Sequence, residues 1–134
     1  MRSIMIAFCL FATLSGMNAR AEDCSAAATQ AAMNDCANTA LKNTDAELNA
    51  IYRDLIGRLK NSEDSKQALI VAQRAWLQFR DGECAFAASA VSGGSIYPTI
   101  VANCRNALTA DRVKALGVYL NCAEGDMACP VPPK

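Results

Sequence analysis

The chain has 134 residues, 52% of them hydrophobic and 19% charged, with thirteen basic against thirteen acidic side chains, seven cysteines and no histidine. The missing imidazole excludes Ser/His/Asp and Cys/His catalysis, two-histidine metal motifs and an imidazole pH switch, and the balanced charge argues against a nucleic-acid binder. One domain is expected at this length, and the cysteine count points to a core that is also stapled.

Residues 1–21 read as a signal peptide: Arg2 supplies the positive start, Ile4 to Leu14 the apolar stretch, and Ala19-Arg20-Ala21 the small-x-small pattern before a cut. The apolar stretch is too short to span a bilayer comfortably, so no stable membrane anchor is expected after cleavage. Cutting after Ala21 leaves 113 residues (134 less 21), and with Arg2 and Arg20 gone, eleven basic against thirteen acidic side chains give a net charge of −2. Cys9 leaves as well, and the six that stay, Cys24, Cys36, Cys84, Cys104, Cys122 and Cys129, read as three disulfides in a periplasmic or secreted protein. No cysteine stands at the cut itself, so lipid anchoring is not expected.

From Thr29 to about Lys60, Met33, Ala37, Leu41, Leu48, Ile51, Leu55 and Leu59 recur at three- and four-residue steps, which is a helix period. Thr29 is placed to cap its start, and Asn61-Ser62 supplies the break and the next cap. A second helix is expected from about Glu63 to Val91, with Leu69, Ala72, Trp76, Phe79, Phe86 and Ala90 as its apolar stripe, ended by Gly93-Gly94. The third begins near Tyr97-Pro98, where proline suits a first turn, and runs to about Leu120. Gly125, Pro130, Pro132 and Pro133 keep the tail from being helical. The fold class is therefore all-α, an antiparallel three-helix bundle with long helices, disulfide-stapled, over residues 22–121, followed by a disulfide-looped, proline-rich tail over 122–134.

Register constrains the cysteines. Cys84 and Cys104 each lie about ten residues from Gly93-Gly94 and reach the same height in an antiparallel pair. Cys24 and Cys36 would stand about 18 Å apart on one helix, so they pair only if Cys24 lies in a strap folded back along helix one. That pairing is favoured with Cys122–Cys129; Cys36–Cys84 with Cys24–Cys104 is the open alternative.

Two groups of residues are candidates for function. Gln73, Arg80 and Cys84 form a polar seam beside Trp76, and Asp45 and Asn49 of helix one lie at matching heights, so an interhelical network is geometrically available. Its first reading is structural, fixing register, and its second a ligand site. The connector Ser92-Gly93-Gly94-Ser95-Ile96-Tyr97 is the other: two glycines allow close approach of backbone to a partner, with Ile96 and Tyr97 as contacts. The alternative is that Ile96 and Tyr97 close the end of the bundle. Asp81 and Glu83 diverge on a helix and form no acid/base pair, and no C-x-x-C spacing suggests redox chemistry or zinc. No catalytic residue, metal ligand or cofactor is assigned, and no enzyme is expected.

The spacing Cys24…Cys36, the runs Asp45-Ala-Glu-Leu-Asn-Ala-Ile-Tyr52 and Gln73-Arg-Ala-Trp-Leu-Gln-Phe-Arg-Asp-Gly-Glu-Cys84, Gly93-Gly-Ser-Ile-Tyr-Pro98 and Cys104 resemble the exported bacterial family named after the N-terminal domain of the lysozyme inhibitor LprI. The likeness covers about residues 24–120. It implies a small helical, disulfide-bonded envelope protein and, for the naming member, binding and inhibition of lysozyme. The naming member is lipid-anchored, which this chain is not expected to be. The resulting expectation is a protein partner, with lysozyme the leading one and Ser92, Gly93, Gly94, Ile96 and Tyr97 as the contact; the alternative is a general envelope interaction domain for another exported protein.

Overall fold

A computed structural model of the chain describes residues 24–132. The expected leader and its cut after Ala21 lie outside them. Helix α1 spans Gln30–Arg58, with Thr29 in extended backbone at φ −126°, ψ 156° and its side chain accepting from the Ala32 amide at 3.1 Å. That satisfies one of the amides a helix start leaves without partners. A 3-10 turn at Leu59–Asn61 breaks the chain before α2, Glu63–Ala87. Ser62 occupies the cap position but makes no side-chain cap bond, contrary to the sequence expectation. Two carboxylates, Glu63 and Asp64, complement the positive helix start in its place. Helix α2 also stops four residues earlier than expected, because Ala88 begins a separate 3-10 turn over Ser89–Val91. Helix α3 spans Tyr97–Leu120, with Pro98 in the first turn, where its missing amide costs no helical bond.

The three helices run up, down and up, so α1 and α3 are parallel and form the closest pair. Paired residues along them are 62 to 69 positions apart: Gln30 Nε2 donates to Thr99 Oγ1 at 2.9 Å, Thr44 Oγ1 to Asn106 Oδ1 at 2.6 Å, and Arg58 Nη1 to the Leu120 carbonyl at 3.1 Å. The largest fully buried side chains include Leu55, Leu59 and Leu116. Together with Leu48 they form one cluster, and the tail joins it: Val131 is 4% exposed and packs among them. Disulfides join Cys24 to Cys36, Cys84 to Cys104, and Cys122 to Cys129. The strap carrying Cys24 is a 3-10 turn, Cys24–Ala26, which brings its Cα within 5.8 Å of that of Cys36. Among the described residues there is no strand, and no helix is long and apolar enough to cross a membrane.

Helix α2 is rotated about its own axis from the position its apolar stripe predicts. Its buried residues are Gln73, Arg80 and Cys84, whereas Phe79 is 55% exposed and Phe86 75% exposed. Of the expected stripe, Leu69 and Trp76 meet the core, while Ala72 and Ala90 are also exposed. The cause is covalent. Cys84 must face α3 to reach Cys104, and residues advance about 100° each around a helix. Arg80, one turn before Cys84, is therefore carried inward. Phe79 and Phe86 fall about 140–160° away from Cys84, toward solvent.

Candidate functional site

Two groups of residues stand out, a polar seam inside the bundle and the connector at one end of it. The seam centres on Arg80, which is 8% exposed and lies where α2 faces both other helices. Its Nη1 donates to Asp45 Oδ1 of α1 at 2.8 Å and to Thr109 Oγ1 of α3 at 3.1 Å, and its Nε donates to Asp81 Oδ1 at 3.1 Å. One buried guanidinium thus ties all three helices. Asp81 also lies 3.1 Å from Arg105 Nε, close enough for an ion pair although that N–H is not aimed to form a hydrogen bond. A second guanidinium, Arg112 of α3, donates from Nε to Gln73 Oε1 at 3.1 Å. Arg80 and Arg112 both approach the Trp76 ring, at 5.4 Å and 5.7 Å from its centroid, within cation–π range. Burial pushes the Arg112 guanidinium below the usual arginine pKa, and Tyr119 offsets part of that shift.

Asp45, Gln73, Trp76 and Arg80 are therefore brought together, and Asn49 is not. It is exposed, and the hydrogen bonds of the seam run to Asp45 on α1 instead. Leu48, one residue earlier, points into the core, and a single helical step of about 100° turns Asn49 away. Thr109, Arg105 and Arg112 were not anticipated from the sequence, where the height of α3 is used for Cys104 alone and its polar residues are not matched to α2. A polar residue within reach of the level set by Cys84 and Cys104 was the available signal for Thr109. Asp81, which forms no acid/base pair with Glu83, works in the network as a counter-ion. A guanidinium surrounded in this way is occupied on several sides, so the seam holds helices in register and leaves little for a ligand to displace.

The connector is a succession of tight turns. The amide of Gly94 donates to the Val91 carbonyl at 3.0 Å, and that of Tyr97 to the Gly94 carbonyl at 3.1 Å. Gly93 has φ +77°, the left-handed region that a side chain disfavours, and a Cβ on Gly94 would lie 3.1 Å from the Val91 oxygen. The backbone of Gly93 favours glycine, and the close Val91 carbonyl crowds any side chain at Gly94. Ser92, Gly93, Gly94 and Ser95 are exposed, Ile96 is 40% exposed and Tyr97 is half-buried. Tyr97 lines a cleft with Leu41, Val101 and Arg105, so its ring braces the base of the connector while Ile96 projects.

A polar cluster not anticipated from sequence anchors the connector to α1. Gln30 Nε2 bridges Asn34 Oδ1 and Thr99 Oγ1, Thr99 Oγ1 in turn donates to Asn34 Oδ1, and Asn34 Nδ2 donates to the Ser95 carbonyl at 3.3 Å. Its signal was the pair of amides four residues apart at the start of α1, on one helix face. Below the connector, Cys84–Cys104 joins α2 to α3, and Cys24–Cys36 holds the strap to the start of α1. Among the described residues, no group of three or more Cys, Asp or Glu is arranged to hold a metal ion.

The family model described as lysozyme inhibitor LprI matches residues 21–116. The chain is also 34% identical over 113 residues to an uncharacterized protein of Rhizobium meliloti (strain 1021), covering 76% of this chain and 81% of that one. No solved structure matches it at a significant level.

Proposed function

The chain belongs to the LprI lysozyme-inhibitor family, and from that premise we propose that it is an exported inhibitor that occludes a lysozyme cleft with the 92–98 connector. Family membership supports inhibition of lysozyme, and the observation that supports this contact is the exposed Ile96 on a turn whose backbone is fixed by Gly93 and Gly94. Lysozyme hydrolyses sugar chains with carboxylates set in an open cleft, so a narrow, rigid projection excludes substrate without any chemistry of its own. Rigidity matters because a connector already ordered loses little conformational freedom on binding. The expected net charge of −2 after cleavage adds only weak attraction to a basic lysozyme at physiological salt.

The oxidised protein, at micromolar concentration, is expected to slow lysis of peptidoglycan by at least one class of lysozyme. Replacing Ile96 and Tyr97 together with Ala removes the inhibition while leaving the helix content unchanged. Inaction of the unaltered protein against every lysozyme class sinks the proposal. A second reading, an interaction domain for another exported protein, is favoured by a different observation: Val71, Phe79 and Phe86 are exposed along the outer face of α2. Absence of lysozyme inhibition, together with a periplasmic protein captured by the unaltered chain and lost with Phe79→Ser/Phe86→Ser, favours this second reading.

A further inference from the structure

At the opposite end of the bundle from the connector, the tail borders a groove of about 280 Å³ that is open to solvent on one side. Its accessible lining is Ala68, Leu69 and Ala72 of α2, Tyr119 of α3 and Pro130 of the tail, over a buried floor that includes Leu59 and Leu116. The lining includes no carboxylate and one charge, Arg112. Its Nε is committed to Gln73, but its two terminal nitrogens make no hydrogen bond among the described residues. A guanidinium presents those nitrogens as a fork that matches a carboxylate in two parallel bonds. Burial that lowers the Arg112 pKa is relieved when an anion arrives beside it. The combination is an apolar recess with a single unfilled cationic fork.

We propose that this groove binds a small apolar carboxylate, an unbranched medium-chain free acid, with its chain along Leu69, Ala72 and Pro130 and its carboxylate on the terminal nitrogens of Arg112. The site is separate from the connector, so it stands or falls independently of lysozyme inhibition. It also gives the tail a purpose: Cys122–Cys129 closes the loop from which Pro130 and Val131 extend as one wall.

Trp76, the single tryptophan, lies beside the Arg112 guanidinium and reports on the site. Decanoate, decanol and decyltrimethylammonium are titrated below their self-association concentrations, followed by Trp76 fluorescence and by calorimetry. Decanoate is expected to bind saturably with a Kd between about 0.1 and 1 mM, the range for so small a ligand. The quaternary ammonium is expected not to bind. Arg112→Gln weakens decanoate by about tenfold while changing decanol by less than about twofold, because the charged pair alone is lost. Ala72→Phe, which fills the recess and retains Arg112, weakens both decanoate and decanol, and keeps the test decisive if Arg112→Gln does not fold. Absence of saturable decanoate binding overturns the proposal, as does equal binding of the cationic probe, or decanoate affinity unmoved by both substitutions.

Discussion

Where α1 turns into α2, the interior is built of leucine; at the other end, where α2 passes to α3, it is built of alanine and cross-links. Leu48, Leu55, Leu59, Leu116 and Val131 form the apolar cluster of the first end. Toward the second, the buried residues are Ala37, Cys84, Ala88 and Ala102, with Thr109 between the two ends. Fully burying a leucine stabilises by about 1.5–3 kcal/mol, and an alanine offers much less apolar area to bury. Two of the three disulfides, Cys24–Cys36 and Cys84–Cys104, lie at the alanine-rich end, as does the Gln30, Asn34 and Thr99 cluster. Covalent and polar links therefore hold the end that apolar packing holds least. That end carries the connector, which needs a fixed base and an uncovered tip.

The comparison breaks first at Leu55. Leu55→Ala is expected to destabilise the whole domain by about 2–5 kcal/mol in denaturant unfolding of the oxidised protein, through lost transfer energy and the cavity left behind. The connector should keep its native-state amide exchange pattern, because its links are elsewhere. The reverse asymmetry is expected for Cys84→Ser with Cys104→Ser. Freeing a twenty-residue closed segment costs about 3 kcal/mol on the chain-entropy account. Here amides of residues 88–98 should lose protection before those around Leu55 and Leu116, and equal loss at both ends would show that the ends are not held separately.

The smallest expected effect is the pH response at the start of α2. Hydrogen bonding from Gln67, then bonding and attraction from Lys66, hold the Glu63 carboxyl below its usual value. A depressed carboxyl contributes its stability above the unfolded-state pKa and loses it as pH falls through the folded one. Thermal midpoints of the unaltered protein and Glu63→Gln should therefore differ slightly at neutral pH and converge in acid below the usual carboxyl range. A gap that widens in acid would contradict this assignment.

Much of the candidate site was legible because it was local. The Gly93-Gly94 pair, the proline after Tyr97 and the Thr29 cap each act within a few residues, and the observed turns and helix starts follow them. The Asp45–Arg80 pair was legible as well, because a hairpin of two helices sets which heights face one another. Asn49 failed the same test because height alone says nothing about azimuth. The anchoring cluster of Gln30, Asn34 and Thr99 and the groove beside the tail join segments more than sixty residues apart, and only the packed bundle brings them together.

The sequence by itself determined three helices, their direction and the heights of the cysteines, because helix period, caps and chain reversals are short-range properties. Only the tertiary structure decided which way α2 is turned. Its apolar stripe and its Arg80–Cys84 seam each had a claim on the interior. The Cys84–Cys104 bond and the Arg80 contacts to Asp45 and Thr109 settled it, because a bridge has one direction and a buried guanidinium is costly without partners. The same packing drew Val131 from a tail with no helical signal into the leucine core, giving the recess beside Arg112 its outer wall.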